Sequence, residues 1–398
     1  MIRAGNQLTL LETGAQYFPA LLAALDQAQH EIHLESYIFV ADETGQQVID
    51  ALIRAAGRGV VARVLLDGFG ARDLPAASRD LMMKAGVNLA FFRPDRLRWR
   101  ARLGMRRQRQ RLRRLHRKLV LVDARVAFIG GINIIDDLGS GQLPAPRQDY
   151  MVQIEGPLLA DIVASAHRLW RRVQWSQLGR RGGDDTWQDP WRHPQVDTVG
   201  KQRAEFVERD SLKYRRAIES HYLSAIEQAQ HEIFIANAYF LPGVRFRHAL
   251  IEAVRRGVRV VLITQGYTDH PLYRSASRAL YRHFLENGIE IFEYHASELH
   301  AKVAVIDSRW ATVGSSNIDP FSLLLAREGN VVVHDTVFAQ TLLISLEDLL
   351  REGGHRVQRM RWRHISRFTR VLSWLAYGLV RGLMGVMGVA QGWDKGVR

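Results

Sequence analysis

The chain has 398 residues, 47% of them apolar, which suffices to bury a full core and is long enough for two domains. Its formal charge of +14 favours anionic partners such as nucleic acid, phospholipid surfaces or phosphorylated metabolites. With no cysteine, the chain can form no disulfide, thiolate metal site or cysteine nucleophile, which fits a cytosolic-facing protein.

The opening residues Met1 to Gln7 lack the apolar core of a signal peptide, which argues against secretion. Apolar patterning then predicts strands over 32–40, 60–66 and 87–92, with an amphipathic helix over 45–57 that closes near Gly59. Residues 93–117 hold twelve arginines, interrupted by Leu97, Trp99, Leu103, Met105, Leu112 and Leu115. Such a run is either a solvated basic face or a surface that gathers anions. Strands follow over 118–123 and 126–130. From Ser176 to about Asp210 the chain is rich in Gly, Pro, Asp and Trp and loses its period, which marks an inter-domain connection.

Beyond it the same order returns. A strand over 231–240, a helix over 244–256 closing near Gly257, and strands over 258–264, 289–294, 301–307 and 310–314 are expected. The closing segment begins with Arg356, Arg359, Arg361, Arg363, Arg367 and Arg370 and runs into the mostly apolar stretch Val371 to Ala390. Arg381 in its middle argues against a simple span, so a segment lying in the interface of an anionic membrane is expected, in preference to a final helix on the protein's own core. The resulting layout is a first domain over 1–176, a linker over 177–210, a second domain over 211–352 and a membrane-associating segment over 353–398.

The two halves are copies. Ala24-Leu-Asp-Gln-Ala-Gln-His30-Glu-Ile32 reappears as Ala225-Ile-Glu-Gln-Ala-Gln-His231-Glu-Ile233. His116-Arg-Lys118-Leu-Val-Leu-Val-Asp123 reappears as His300-Ala-Lys302-Val-Ala-Val-Ile-Asp307, with Gly130 and Asn133 after the first and Gly314 and Asn317 after the second. Only six of the 55 basic residues are lysine, yet lysine fills both motif positions. A compact ammonium is therefore wanted there, not a planar guanidinium. Alternating strands and helices, duplicated, predict two α/β layered domains packed about a pseudo-two-fold axis with the motifs face to face.

His116 and Lys118 share a parity and should project from one face of their strand, as should His300 and Lys302. Two imidazoles, two ammoniums and the amides of Asn133 and Asn317 would then surround one site. A phosphodiester anion repels anionic nucleophiles, so a neutral imidazole suits the attack. Lysines and asparagines can hold the non-bridging oxygens, and the second imidazole, protonated, can serve the leaving alkoxide. The lysines supply the positive charge, so no metal and no cofactor are expected. Asp123 and Asp307 sit at the far strand ends, where bonds that hold the strand are expected of them ahead of chemistry. Each histidine still needs an orienting acceptor, and Asp149 and Glu328, at equivalent positions, are the candidates. The near-symmetric motifs leave open which histidine attacks.

This paired H-x-K-x4-D-x6-G-x2-N pattern resembles that of the phospholipase D superfamily, over about residues 5–350. Within it the chain is similar to the bacterial cardiolipin synthases, of the cardiolipin synthase B type without N-terminal transmembrane helices. Glu35-Ser-Tyr-Ile-Phe39, Phe128-Ile-Gly-Gly-Ile-Asn133, Gln148-Asp149-Tyr150 and Ala311-Thr-Val-Gly-Ser-Ser-Asn317 carry that likeness. It implies two tandem phospholipase D-like α/β/α sandwich domains with the active site at their interface. It further implies phosphatidyl transfer between two phosphatidylglycerol molecules, giving cardiolipin and glycerol through a phosphatidyl-histidine. By position His116 would be the nucleophile and His300 the general acid and base, with Glu328 orienting His116 and Asp149 orienting His300. Ser315, where the first copy has Gly131, would be an extra oxyanion contact. The implied partners are phosphatidylglycerol, other anionic phospholipids and the membrane surface. No nucleic-acid partner is implied, and the implied location is peripheral, on the cytoplasmic side of the inner membrane. A phosphodiesterase or nuclease of the same superfamily is the alternative, and the apolar C-terminal stretch favours lipid.

Overall fold

The computed structural model describes residues 1–93, 114–136, 146–178, 197–210, 214–267, 271–319 and 326–358, together with residues 194, 375 and 378. The first half contributes strands β1 (Arg3–Glu12), β2 (Glu31–Ser36), β3 (Val61–Asp67), β4 (Asn88–Phe92), β5 (Lys118–Val122), β6 (Val126–Gly130) and β7 (Tyr150–Glu155). The second contributes β8 (Gln202–Arg209), β9 (Glu232–Asn237), β10 (Arg259–Gln265), β11 (Glu290–Tyr294), β12 (Lys302–Ile306), β13 (Trp310–Gly314), β14 (Glu328–Val333) and the short β15 (Gly354–Arg356). They form one continuous sheet in the order β15-β11-β10-β9-β12-β13-β14-β8-β1-β7-β6-β5-β2-β3-β4.

That order is nearly palindromic about the β8–β1 pair, so strand for strand the halves are related by a pseudo-two-fold. In each half three strands run parallel (β2, β3, β4 and β9, β10, β11), and the motif strand joins them antiparallel. The motif strands β5 and β12 and the neighbouring β2 are buried along their whole length. This accounts for their unbroken apolar runs, since helices cover both faces of such a strand. One core lies under the first half's helices, among them Thr13–Gln27 and Glu43–Gly57, and its counterpart lies in the second half. A third core is shared. Leu121, Ile129 and Val152 meet Val303, Val313 and Val331 there, beneath the helices Leu159–Leu178 and Thr336–Gly353. Fully burying such an aliphatic side chain contributes about 1.5–3 kcal/mol, so the shared core joins the halves into one body.

The expected strands and helices are found with shifted ends. The helix expected from residue 45 begins at Glu43, because the Asp42 carboxylate caps it, accepting from Gly45 N at 2.9 Å. Residues 202–209, read from sequence as part of the connection, instead form β8 at the centre of the sheet, and the helix Leu159–Leu178 runs past the expected boundary at 176. The first residues of the expected membrane segment pair with β11 as β15. Nearly all the rest of that segment, and residues 94–113 of the arginine tract, lie outside the described residues. Among the described residues no helix is long and apolar enough to cross a membrane.

Candidate active site

The motif strands start at the sheet edge where β2, β3, β9 and β10 end, because β5 and β12 run antiparallel to those strands. A side chain at the end of the next strand but one, β3 or β10, fixes each approach. Leu115 N donates to Asp67 Oδ2 at 2.8 Å, and Leu299 N donates to Gln265 Oε1 at 2.8 Å.

The halves then exchange backbone. His116 N donates to Arg327 O at 3.0 Å and Arg327 N to Arg114 O at 2.7 Å. Likewise His300 N donates to Gln148 O at 2.8 Å and Gln148 N to Glu298 O at 2.8 Å. Each exchange sets the next residue's carboxylate beside the opposite half's imidazole. Glu328 Oε2 lies 3.1 Å from His116 Nδ1, and Asp149 Oδ2 lies 2.5 Å from His300 Nδ1. Glu328 Oε1 is also near, at 3.0 Å, but only Oε2 has hydrogen-bond geometry. A carboxylate only accepts, so in the neutral rings Nδ1 carries the proton and Nε2 presents a lone pair. Both imidazoles keep 16% side-chain exposure, so the site is open to a ligand.

The lysines are buried behind them. Lys118 Nζ donates to His116 O at 2.7 Å and sits 5.5 Å from the Tyr37 ring centroid. Lys302 Nζ donates to His300 O and lies 3.8 Å from Asp149 Oδ2. Burial pushes Lys118 down to about 7 against the pull of Glu328, and Lys302 down to about 8 against the pull of Asp149. Burial raises Asp149 to about 6, opposed by Lys302. Burial also lowers both histidines; Glu328 partly restores His116, while both lysines and Arg147 hold His300 well below 6.5. Burial thus disfavours the charged form of each of these groups, the cations included. An incoming phosphate anion would restore the cations.

The remaining candidates divide. Asn133 and Asn317 are buried at the same edge; Asn133 Oδ1 accepts from Ile38 N at 3.2 Å, while Asn317 Oδ1 takes no hydrogen bond among the described residues. Ser315, expected as an oxyanion contact, is fully buried and donates to Glu328 Oε2 at 2.6 Å. Its hydroxyl is spent on holding the carboxylate that holds His116. The first half has Gly131 there because a Cβ would stand 2.1 Å from Asp149 Oδ1.

Asp123 and Asp307 do not join the site. At the far ends of β5 and β12, Asp123 accepts from Gln29, His30 and Glu31 N at 2.8–2.9 Å, and Asp307 from Gln230, His231 and Glu232 N at 2.7–2.9 Å. Each pins its hairpin, whose turn carries positive φ at Asp123 and Ala124 or at Asp307 and Ser308, to the start of the adjacent strand.

Sequence reasoning missed Tyr37, whose ring centroid is 4.9 Å from that of His116, and the anchors Asp67 and Gln265. Tyr37 lies in a segment that carried the family likeness. The anchors end apolar runs, where one polar residue gives no signal in the pattern.

The chain matches the family model described as cardiolipin synthase, PLD-like domain, over residues 21–165 and 222–350. It belongs to the phospholipase D-like cardiolipin synthase family. Among relatives in that family, cardiolipin synthase B of Shigella flexneri is 41% identical over 397 residues, covering 97% of this chain and 90% of that one. Cardiolipin synthase B of Escherichia coli K12 is 40% identical with the same coverage. A cardiolipin synthase of Geobacillus kaustophilus is 30% identical, covering 89% of this chain and 67% of its own. The fold is that of the phosphatidylserine synthase of Haemophilus influenzae, with a TM-score of 0.66 at 13% identity over 97% of this chain and 95% of that one.

Proposed function

We propose that the chain is a cardiolipin synthase, a phosphatidyltransferase that moves a phosphatidyl group from one phosphatidylglycerol to a second and releases glycerol. The observation that carries this reading is the pair of cross-half couples, His116–Glu328 and His300–Asp149, with two buried lysines between them. His300 takes up a proton once the phosphate anion is bound; His116 Nε2 then attacks phosphorus, the glycerol oxygen leaves with that proton, and a phosphatidyl-histidine remains. The hydroxyl of the second phosphatidylglycerol then gives its proton to His300 and attacks the same phosphorus, freeing His116. Lys118, Lys302 and Asn317 hold the non-bridging oxygens. The enzyme works peripherally on the cytoplasmic face of the inner membrane, where its anionic substrate lies.

Incubating the protein with labelled phosphatidylglycerol should yield cardiolipin and glycerol in equal amounts, while labelled DNA stays intact. Phosphatidic acid as the main product, or cleaved DNA, would overturn the reading.

The lysines also set a pH dependence. In the free enzyme Lys118 and Lys302 lose charge as pH rises through about 7 and 8, so capture of an anion weakens there. Below about 6 Asp149 takes a proton and releases His300. kcat/KM should therefore be bell-shaped with an alkaline limb between 7 and 8. For kcat that limb should move upward, because bound phosphate restores the ammonium form. Coincident alkaline limbs in the two profiles would remove the lysines from substrate capture.

A further inference from the structure

Two exposed aromatic residues occupy equivalent places in the halves. Phe69 follows β3 by two residues and Tyr267 follows β10 by two, and they are 39% and 45% exposed. The turns that carry them are built alike, with Gly68 N donating to Phe92 O at 2.9 Å and Gly266 N to Tyr294 O at 2.9 Å. Both turns leave the sheet at the edge where His116 and His300 enter it, since Asp67 and Gln265, the last residues of β3 and β10, anchor the residues before those histidines. Asp67 does double duty. Its Oδ1 accepts from Phe69 N at 2.9 Å and Gly70 N at 3.1 Å, while its Oδ2 holds Leu115.

Cations accompany the first of the two aromatics. The guanidiniums of Arg72 and Arg114 lie 4.7 and 4.9 Å from the Phe69 ring centroid, and Tyr267 rests on the His295 ring at 5.1 Å. Arg72 also meets Asp73 at 3.4 Å, but both side chains are largely in water, where such a pair binds weakly. A large apolar ring held out among guanidiniums has little to gain in water. At a bilayer surface, aromatic rings sit at headgroup depth and arginines meet lipid phosphates.

We infer that Phe69 and Tyr267 are paired membrane anchors flanking the active site, docking this edge of the sheet onto an anionic bilayer. The pseudo-two-fold makes the contact two-legged. A substrate headgroup lifted between the legs meets both histidines without its acyl chains leaving the bilayer. Through Asp67 the first leg is tied to the backbone that sets His116. The inference rests on the lipid-substrate reading above, and its test separates the two.

Because the chain has no cysteine, Phe69→Cys and Tyr267→Cys each give one labelling site for an environment-sensitive fluorophore. On vesicles rich in phosphatidylglycerol both labels should shift to the blue and be quenched by brominated acyl chains, and on phosphatidylcholine vesicles neither should respond. Labels that stay silent while the enzyme turns over vesicle lipid would overturn the anchor and leave the function standing. Labels already shielded in the free protein would mean that another part of the chain covers the rings, and would equally overturn it. The Phe69→Ala/Tyr267→Ala enzyme should lose about tenfold or more in vesicle affinity, the scale of two interfacial aromatics, with unchanged turnover of a short-chain monomeric phosphatidylglycerol. Loss of the short-chain activity as well would show that the residues support the site itself.

Discussion

Replacing His116 by alanine is expected to abolish transfer, with a loss on the order of 10⁵- to 10⁶-fold, the scale seen when a nucleophile is removed. Replacing His300 by alanine is expected to cost about 10²- to 10⁴-fold, the range for one acid–base group, and to act unequally on the two steps. The first step still has its nucleophile, so a phosphatidyl adduct should build up slowly on His116 and persist because the second alcohol is no longer deprotonated. Mass spectrometry of quenched His300→Ala enzyme should find that adduct on the peptide bearing residue 116. Geometry alone treats the rings as near equivalents, each with Nδ1 on a carboxylate of the other half. Their surroundings differ. Tyr37 packs tilted against His116 where the second half has Ala238, and Arg147 adds a positive charge beside His300. An adduct found on His300 in the His116→Ala enzyme would reverse the roles. Undiminished turnover in both variants would remove the histidines from the chemistry.

The part of this site that could be read from sequence is the part that depends on spacing. A histidine and a lysine two residues apart on a buried strand must share a face, and a duplicated strand must bring a second pair. Spacing also put the aspartates at the far strand end, five residues beyond each lysine, where they bind the backbone of residues 29–31 and 230–232. What escaped was long-range or locally polar. β1 and β8 form the seam between the halves, yet β1 carries Gly5 at φ 88° and β8 reads Gln-Arg-Ala-Glu-Phe-Val-Glu-Arg, so neither looks like a central strand. Their partners lie about 120 to 200 residues away, beyond any local pattern. Ser315 was misjudged for a related reason. Its hydroxyl belongs to Glu328, thirteen residues on, and only the register of β13 against β14 brings them together.

The same duplication yields a second large effect, on stability. Arg117, between His116 and Lys118, points to the opposite face and is buried there. It binds Glu35 through two bonds of 2.7 and 2.6 Å and Ser165 Oγ at 2.7 Å, while His33 Nε2 meets Glu35 at 2.8 Å. At the equivalent places the second half has Phe234, Ala236 and Ala301 and needs no charge. Burial pushes the Glu35 carboxyl up, but Arg117 and His33 overcome this and hold it near about 2. Below its unfolded value of about 4.3, this carboxylate contributes stability at higher pH that is lost as pH falls toward 2.

Arg117→Met should cost about 3–5 kcal/mol near neutral pH, since a buried carboxylate then loses its main partner. With burial less opposed, its pKa rises above the unfolded value and the penalty grows with pH. The gap in melting temperature between the two proteins should therefore widen from pH 4 to pH 8 and close only as pH falls toward 2. A gap that narrows with rising pH would show that Glu35 is not the group left stranded. The apolar copy in the second half predicts the remedy. His33→Phe/Glu35→Leu/Arg117→Met removes every charge of the triad at similar volume, and such replacements are often neutral or stabilising. That variant should recover both melting temperature and transfer, because β12 presents His300 from an apolar bed. Recovered stability without recovered transfer would instead make Arg117 a positioning residue for His116.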